Sequence, residues 1–329
     1  MGARPWGRGR APGLVRTRPV AAHPAGLPAL ASPIHSRGWP LPHRLLFRSA
    51  LLRWLDALLF SSGWLALAAA AQALATLALW APLAGAGYRM GALVLAATLL
   101  VYNLDAVLPF KQLPAAAAGA GRKAWQQRHR RALAALAGLA GAVGAALVGY
   151  DGWLRYARWL APLAALALLY SWPVWPWRGR WRALRDVPLL KGFLIAGVWS
   201  AVTVGLPVLL HRPPALRPVA LLLGQRFCLV AALAVVFDIR DVGRDRAARL
   251  LTWPVWLGVA GARAVALAWL AGALAFGLWR GTGPGIPGIT VGLAAAVVLA
   301  AREHRHEYFF ALLSDGVLLV PAALYLWFG

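Results

Sequence analysis

Nine apolar segments, each long enough to cross a lipid bilayer, constrain the fold of this chain more than any other feature. A spanning helix needs about 20 apolar residues, because the hydrocarbon core is roughly 30 Å thick. At 61% hydrophobic residues, the sequence is too apolar for a soluble domain. Lipid offers the backbone no hydrogen-bond partners, so such segments must be helical. We therefore predict an all-α, polytopic membrane protein with spans at residues 57–82, 89–110, 132–150, 156–175, 188–210, 217–238, 254–279, 285–301 and 308–328.

The formal net charge of +24 raises the question of a nucleic-acid partner. The basic residues, however, lie in short loops between apolar segments and in an N-terminal arm, a distribution typical of membrane orientation and contact with anionic lipid. We therefore predict no nucleic-acid partner, and the sequence indicates no protein partner. Residues 1–44, rich in Arg, Pro and Gly, are predicted to form a disordered basic arm, and residues 45–329 the membrane domain.

The positive-inside rule gives the orientation of the spans. If the N-terminus is cytoplasmic, sixteen Lys and Arg residues fall in the inner loops and six in the outer loops. We therefore predict a multi-pass protein of the cell inner or plasma membrane, with its N-terminus in the cytoplasm and its C-terminus outside. In that topology the second and sixth spans both end on the cytoplasmic side.

Three of the ten acidic residues of the chain follow the sixth apolar segment. Asp238, Asp241 and Asp245 are three, four and seven positions apart, so on a helix they share one face. Like charges on one face repel, and a divalent cation, neighbouring arginines or both must offset them. One interpretation is a juxtamembrane charge cluster. The other is a Mg²⁺ and phosphate site, in which Arg240 and Arg244, one turn apart, hold phosphate oxygens.

The motif Asp-Ile-Arg-Asp-x-x-x-Asp-Arg at 238–246 resembles the second aspartate motif of the UbiA superfamily of membrane-embedded prenyltransferases. It is followed by Leu251-Thr252-Trp253-Pro254, where the superfamily often has Thr-Leu-Pro. Upstream, Tyr170-Ser171-Trp172-Pro173 and the segment 184–191 are similar to the fourth-to-fifth helix region of a divergent bacterial group. The resemblance covers about residues 50–329 and implies a bundle of nine helices.

The first aspartate motif of the superfamily is only partly present. It typically reads Asn-x-x-x-Asp-x-x-x-Asp at the end of the second helix. Asn103 matches its first position, whereas Val107 and Lys111 occupy the aspartate positions. Asp105 is present out of that register. The alternative interpretation of Asn103 and Asp105 is a helix C-terminus followed by a turn at Pro109.

The resemblance implies an enzyme that moves an isoprenoid chain from a prenyl diphosphate to an aromatic or other lipid-associated acceptor. It implies that the catalytic residues, which also hold Mg²⁺, are Asp238, Asp241, Asp245 and Asp105. It implies that the substrate is bound by Asn103, Arg240, Arg244, Arg246, Lys191 and Tyr170. The alternative is a non-catalytic isoprenoid- or lipid-binding relative, or a transporter that uses the same cavity.

Ionisable residues within predicted spans are expensive to bury and therefore candidates for function. Lys191 is predicted either to hold the diphosphate or to extend to the membrane interface. Asp315 is predicted to bind substrate, with an ion pair to Arg226 as a further hypothesis. Polar bridging between helices is the structural alternative for both Asp315 and Arg226.

Overall fold

The chain folds as a bundle of helices, and the computed structural model describes residues 43–108, 121–173, 175–177, 180–211 and 215–328. The predicted basic arm up to residue 42 lies outside the described residues, as does Lys111. Phe47–Gly329 is one compact unit. Residues 45–56, just before the first predicted span, are helical.

Twelve α-helices occur within the described ranges. They are α1 (His43–Phe60), α2 (Gly63–Ala78), α3 (Gly85–Val107), α4 (Arg122–Arg128), α5 (Arg130–Tyr150), α6 (Ala157–Leu169), α7 (Leu190–Ser200), α8 (Leu206–His211), α9 (Leu216–Ala247), α10 (Trp253–Trp279), α11 (Gly285–Ala300) and α12 (Leu319–Phe328). A π-helical turn, Ala201–Gly205, joins α7 to α8, and another, Phe309–Ser314, precedes α12. One antiparallel hairpin, β1 (Trp175–Trp177) with β2 (Arg180–Arg182), is a local exception to the all-α fold.

Among the described residues, six helical stretches are long and apolar enough to cross a membrane, and a seventh is added if α1 and α2, which meet at 58°, count as one span. The six are Gly85–Val107, Arg130–Tyr150, Leu190–Leu209, Leu216–Ala247, Trp253–Trp279 and Phe309–Trp327. The predicted segments 156–175 and 285–301 correspond to α6, with 13 residues, and α11, with 16. Both are short for a bilayer crossing. The all-α, multi-pass fold is confirmed, and the count of nine spans stays a prediction.

Helix α9 is the centre of the bundle. In its most apolar stretch 67% of residues are buried, the highest share of any span, and it packs against α7, α10 and α11. Beside it, α3 packs against α2 and α5, and α2 also packs against α12. Small residues allow these close approaches, because a Cβ on Gly224 would lie 2.9 Å from the ring of Phe276, and one on Gly91 would lie 2.9 Å from Leu74.

Gln72 on α2 connects three helices inside the apolar interior. Its Oε1 accepts a hydrogen bond from the indole Nε1 of Trp199 at 2.6 Å, and its Nε2 donates to the carbonyl of Leu318 at 2.8 Å. The hydroxyl of Thr76 lies 2.8 Å from the carbonyl of Thr203, on the π-helical turn. These side chains are buried. Each polar group therefore depends on its protein partner, which fixes α2, α7 and α12 relative to one another.

Replacing Gln72 with Leu is expected to destabilise the fold by about 2 kcal/mol, because the Trp199 indole and the Leu318 carbonyl lose their partners. The matched control is Thr290→Ala, which removes only a hydrogen bond within α11 and should cost about 0.6 kcal/mol. Unfolding in detergent micelles with increasing dodecyl sulfate measures both. Equal losses in the two variants would show that Gln72 does not connect the helices energetically.

Candidate functional site

The ends of several helices, including those of α3 and α9, enclose a charged cavity of about 500 Å³. Its acidic lining residues are Asp105, Asp186, Asp241, Asp245 and Glu307. Its basic lining residues are Arg122, Lys123, Arg130, Arg185, Lys191, Arg240 and Arg244. Seven basic against five acidic side chains leave a formal surplus of two positive charges. Such a surplus favours an anionic ligand.

The aspartates of the second motif lie on a single helix. Helix α9 continues to Ala247, beyond the predicted span end at residue 238, so Asp238, Asp241 and Asp245 are one turn apart as the spacing predicted. Asp241 and Asp245 line the charged cavity, whereas Asp238 is buried directly beneath it on the same helix. The Leu250 N–H donates to the Asp245 carbonyl at 2.8 Å, where the helix ends.

Asp238 forms a buried ion pair with Lys191, at the start of α7. The Lys191 Nζ donates to Asp238 Oδ1 at 2.8 Å, and the two side chains are 23% and 4% exposed. Lys191 also lines the cavity. The pair fixes α7 to α9 and compensates the deepest of the three carboxylates, which makes its charge tolerable in a low-dielectric environment.

Asp241 is held by the arginines of its own helix. Arg240 donates to it from Nε at 3.1 Å and from Nη2 at 3.0 Å, and Arg244 Nη1 lies 3.4 Å away. Arg240 also approaches Glu307 at 3.7 Å, and its guanidinium lies over the ring of Phe237 at 5.1 Å and over that of Phe310 at 5.6 Å. The arginines therefore pair with the acid, as the charge-cluster interpretation predicts, and they also border the cavity. The Mg²⁺ and phosphate interpretation stays a prediction.

Asp245 differs from the other two aspartates. It is 5% exposed, and its Oδ2 has no hydrogen-bond partner within the described part of the chain. A buried carboxylate oxygen without a partner is costly. Thr252, at the N-terminus of α10, lines the cavity next to this acid. The Thr-x-Pro element of the motif therefore contributes one side chain, that of Thr252, to the cavity wall.

The carboxylates of the cavity fit Mg²⁺ as a few of its ligands and not as a complete coordination shell. Residues 43–108, 121–173, 175–177, 180–211 and 215–328 contain no group of three or more His, Cys, Asp or Glu side chains arranged to hold a metal. Mg²⁺ is commonly held by one or two carboxylates, with waters and substrate phosphates completing the octahedron. Asp245, with Asp241 beside it and Asp105 from α3 on the same cavity, can supply such a set.

Helix α4 brings cations to the site that the sequence did not assign to it. Arg122 and Lys123 line the cavity, and the Arg122 Nη2 donates to Ser62 Oγ at 3.0 Å. Burial, and then the nearby charge of Arg240, lower the pKa of Arg122. The signal in the sequence was a basic pair shortly after the incomplete first motif, which charge counting placed in a loop. Tyr102 also lines the cavity. The sequence did not predict this, because an aromatic residue in an apolar helix carries no distinctive pattern.

Asn103 and Arg246 do not line the described cavities. Asn103 is 1% exposed, and its Nδ2 donates to the carbonyls of Ser61 at 2.9 Å and Leu99 at 2.8 Å. It therefore fixes the end of α3 against the corner between α1 and α2. Arg246 is on the exposed side of α9. Neither placement supports the substrate contact implied by the resemblance.

The proposed ion pair between Arg226 and Asp315 is wrong. Arg226 lies near the Thr203 hydroxyl, at 3.5 Å, and the cations that act on Asp315 are those of Arg122 and Arg240. Asp315 is 8% exposed and lies behind the charged cavity rather than on its lining. The sequence could not reveal this, because helix periodicity gives a face but not the height at which two helices meet.

An apolar cavity of about 440 Å³ adjoins the charged one. Its walls come from α3, α6 and α7, including Leu93, Ala97, Leu163, Ile195, Val198 and Trp199. Tyr102, Asp105 and Tyr170 line both cavities. The site thus consists of a charged cavity and an apolar cavity, here also called chambers, that share two tyrosines and one aspartate as lining residues. We call these three shared residues the collar.

Removing one partner of the buried pair by Lys191→Met should destabilise the protein by about 3 kcal/mol, because Asp238 is left as an uncompensated charge. The double variant Lys191→Met/Asp238→Leu should regain most of that loss. Arg185→Met is the control, since it breaks only the half-exposed 3.8 Å contact with Asp186 and should cost under about 1 kcal/mol. Unfolding in detergent measures all three, and a double variant no more stable than Lys191→Met would contradict the pairing energy.

No protein-family model matches the sequence, and no curated protein sequence matches it. Among solved structures, the apo structure of a UbiA homolog from Aeropyrum pernix K1 is similar, with a TM-score of 0.52 and 21% sequence identity. The match covers 80% of this chain and 96% of that chain. The resemblance drawn from the aspartate motifs is thereby confirmed at the level of the fold: this is a multi-pass membrane protein with the fold of a UbiA homolog.

Proposed function

We propose that this chain is a Mg²⁺-dependent intramembrane prenyltransferase, which moves an isoprenoid chain from a prenyl diphosphate to an aromatic or other lipid-associated acceptor. The observation that carries the proposal is the pair of adjoining cavities. A prenyl diphosphate divides in the same way, into an anionic head and a long apolar chain. The positive surplus of one cavity suits the head, and the apolar walls of the other suit the chain.

In this proposal the diphosphate is bound by side chains that already line the charged cavity. Arg240, Arg244 and Lys191 provide guanidinium and ammonium donors, and the fixed geometry of Arg240 over Phe310 means that little reorganisation is needed on binding. Charge-assisted hydrogen bonds of this kind stabilise the negative charge that grows on the diphosphate as its bond to the prenyl carbon breaks.

Mg²⁺, when bound, would supply Lewis-acid assistance to the departing diphosphate. The residues that would hold it are Asp245, Asp241 and Asp105. Support comes from the place of all three residues on the lining of the charged cavity. Asp238 has a different role in this proposal, since its pairing with Lys191 sets the position of that lysine among the phosphate-binding side chains.

The collar between the cavities is the proposed place of reaction. The prenyl carbon that bonds to the diphosphate would lie where Tyr102, Asp105 and Tyr170 border both chambers. Aromatic rings there can stabilise an allylic cation through its attraction to their faces. The apolar walls beyond the collar keep water away from that cation, which favours transfer to the acceptor over hydrolysis.

We propose that the charged cavity opens to the cytoplasm, with the N-terminus inside, the C-terminus outside and the protein in the inner or plasma membrane. The cavity collects seven basic side chains at one end of the bundle, in agreement with the positive-inside rule. At the other end, the Arg89–Asp151 pair is a single ion pair with N–O 2.7 Å. A water-soluble diphosphate head would then enter from the cytoplasm.

A second candidate function is that of a non-catalytic isoprenoid-binding protein. The observation in its favour is that Asp238 and Asp241 already have cationic partners, which competes with metal binding. Both candidates require binding of a prenyl diphosphate, but only the first requires turnover. A protein that binds the diphosphate tightly and never releases pyrophosphate would belong to the second class.

Purified protein supplied with labelled prenyl diphosphates, lipid-soluble acceptors and Mg²⁺ should form a prenylated product. Asp241→Ala and Asp245→Ala should each reduce turnover by at least about 100-fold, because each removes a carboxylate that would hold the Mg²⁺ assisting the departing diphosphate. Asp151→Asn is the matched control, since this acid lies at the other end of the bundle on Arg89. Turnover that is equal in wild type and both alanine variants would remove these acids from the reaction.

Filling the apolar cavity should select against long prenyl chains. Ala97→Phe places a ring in this chamber, so turnover of the longest accepted prenyl diphosphate should fall about tenfold or more while that of the shortest changes little. Ala92→Phe is the control on the same helix, at an exposed position outside the cavity. If both variants retain the same preference for chain length, the apolar chamber does not hold the prenyl chain.

A further inference from the structure

We propose that basic side chains on α4 bind the diphosphate at a place where a second Mg²⁺ could otherwise do so. One divalent ion per substrate therefore suffices. This inference rests on the proposed function and specifies how its anionic substrate is held. It concerns the side of the cavity opposite α9, where the resemblance implies acids and the chain has basic residues.

The acidic side chains are distributed unequally between the two helix ends that border the cavity. Helix α9 contributes Asp241 and Asp245, whereas the end of α3 contributes only Asp105. One turn from Asn103, where the motif would have an acid, α3 ends with Val107. The α3 side therefore offers a single carboxylate for a cation, and it lacks the second acid that would hold an ion of its own.

The positive charge on that side comes from the segment that follows α3. Arg122 and Lys123 on α4, and Arg130 at the start of α5, line the same cavity as the α9 acids. Burial lowers the pKa of Lys123, and the nearby charge of Arg244 lowers it further. Because Lys123 lines the cavity from α4 while Asp241 and Arg244 line it from α9, its ammonium group can contact phosphate oxygens that the α9 side chains do not reach.

Helix α4 is held in place independently of any ligand. The Arg122 guanidinium donates to Ser62 Oγ, and the Gln126 amide donates to the Phe60 carbonyl at 2.9 Å. The rings of Phe60 and Trp125 meet edge to face at 5.9 Å. These contacts fix a helix of seven residues against the corner between α1 and α2, so its cations are preorganised and their ordering costs little when an anion binds.

The charge of the site agrees with one divalent ion. The lining residues leave a formal surplus of two positive charges, and Asp238, which neutralises Lys191, reduces it to one. A prenyl diphosphate carries roughly three negative charges near neutral pH. One divalent ion therefore brings the occupied site to about neutrality, whereas a second ion would leave about two unbalanced positive charges in a partly buried space, which is unfavourable.

The test is binding of inorganic pyrophosphate, a probe that does not depend on prenyl chain length, to the full chain in detergent by calorimetry. With EDTA present, the wild type should bind pyrophosphate. As Mg²⁺ is added, the logarithm of the affinity should rise with a slope of one ion per pyrophosphate. Lys123→Gln and Arg122→Gln should each weaken binding in EDTA about tenfold.

The controls distinguish the loss of a charge that lines the cavity from the loss of a charge elsewhere on α4 and from a change in fold. Arg128→Gln, on the same helix but outside the cavity lining, should bind pyrophosphate as the wild type does. Lys123→Gln removes no hydrogen bond to the protein seen in the described residues, so its effect does not depend on a change in fold. A slope of two, no binding in EDTA, or wild-type binding by Lys123→Gln and Arg122→Gln would each overturn the inference.

Measuring prenyl transfer in parallel distinguishes the two levels of failure. If the wild type shows Mg²⁺-dependent transfer but its pyrophosphate binding has a slope of two, the inference fails and the proposed function stands. If neither prenyl diphosphate nor pyrophosphate binds at any Mg²⁺ concentration, the proposed function fails and the inference fails with it.

Discussion

Carboxylates carried by a central membrane helix require positive charge close by, because lipid and apolar side chains cannot solvate them. Helix α9 carries three such acids near its C-terminal end, where Asp241 and Asp245 line the charged cavity. The surroundings that compensate the charge differ for each acid. Asp238 pairs with Lys191 from another helix, and Asp241 pairs with arginines of its own helix. One oxygen of Asp245 has no hydrogen-bond partner in the described chain. The arrangement of α7, the α9–α10 connection and the charged cavity follows from these requirements.

This constraint also explains why the polar and apolar parts of the site are separated. Charged side chains gather at one end of the bundle, where they compensate one another and border a common space, and the interior beyond them is left to Leu, Val and Ala. Three residues at the boundary, Tyr102, Asp105 and Tyr170, belong to both chambers. A ligand with one charged and one apolar end is therefore matched by the way charge is distributed in the fold. No single motif provides this match.

Part of the site was predictable because it depends on local periodicity. The spacing of Asp238, Asp241 and Asp245 requires only that the segment be helical, and α9 extends far enough to include all three. Contacts between distant segments were not predictable in this way. Asn103 contacts Ser61, Arg226 contacts Thr203 rather than Asp315, and α4 contributes Arg122 to the cavity, each because of where two helices meet along their lengths.

The sequence by itself determined the all-helical membrane architecture, since long apolar segments in lipid can satisfy their backbone hydrogen bonds only within a helix. It also determined which acids share a face, because the helical repeat is a local property. Only the tertiary structure decided which cation neutralises which acid, which acid keeps an unpartnered oxygen, and that an apolar chamber adjoins the charged one. Those outcomes depend on the packing of side chains from segments far apart in the chain, and no local pattern encodes the distance between them.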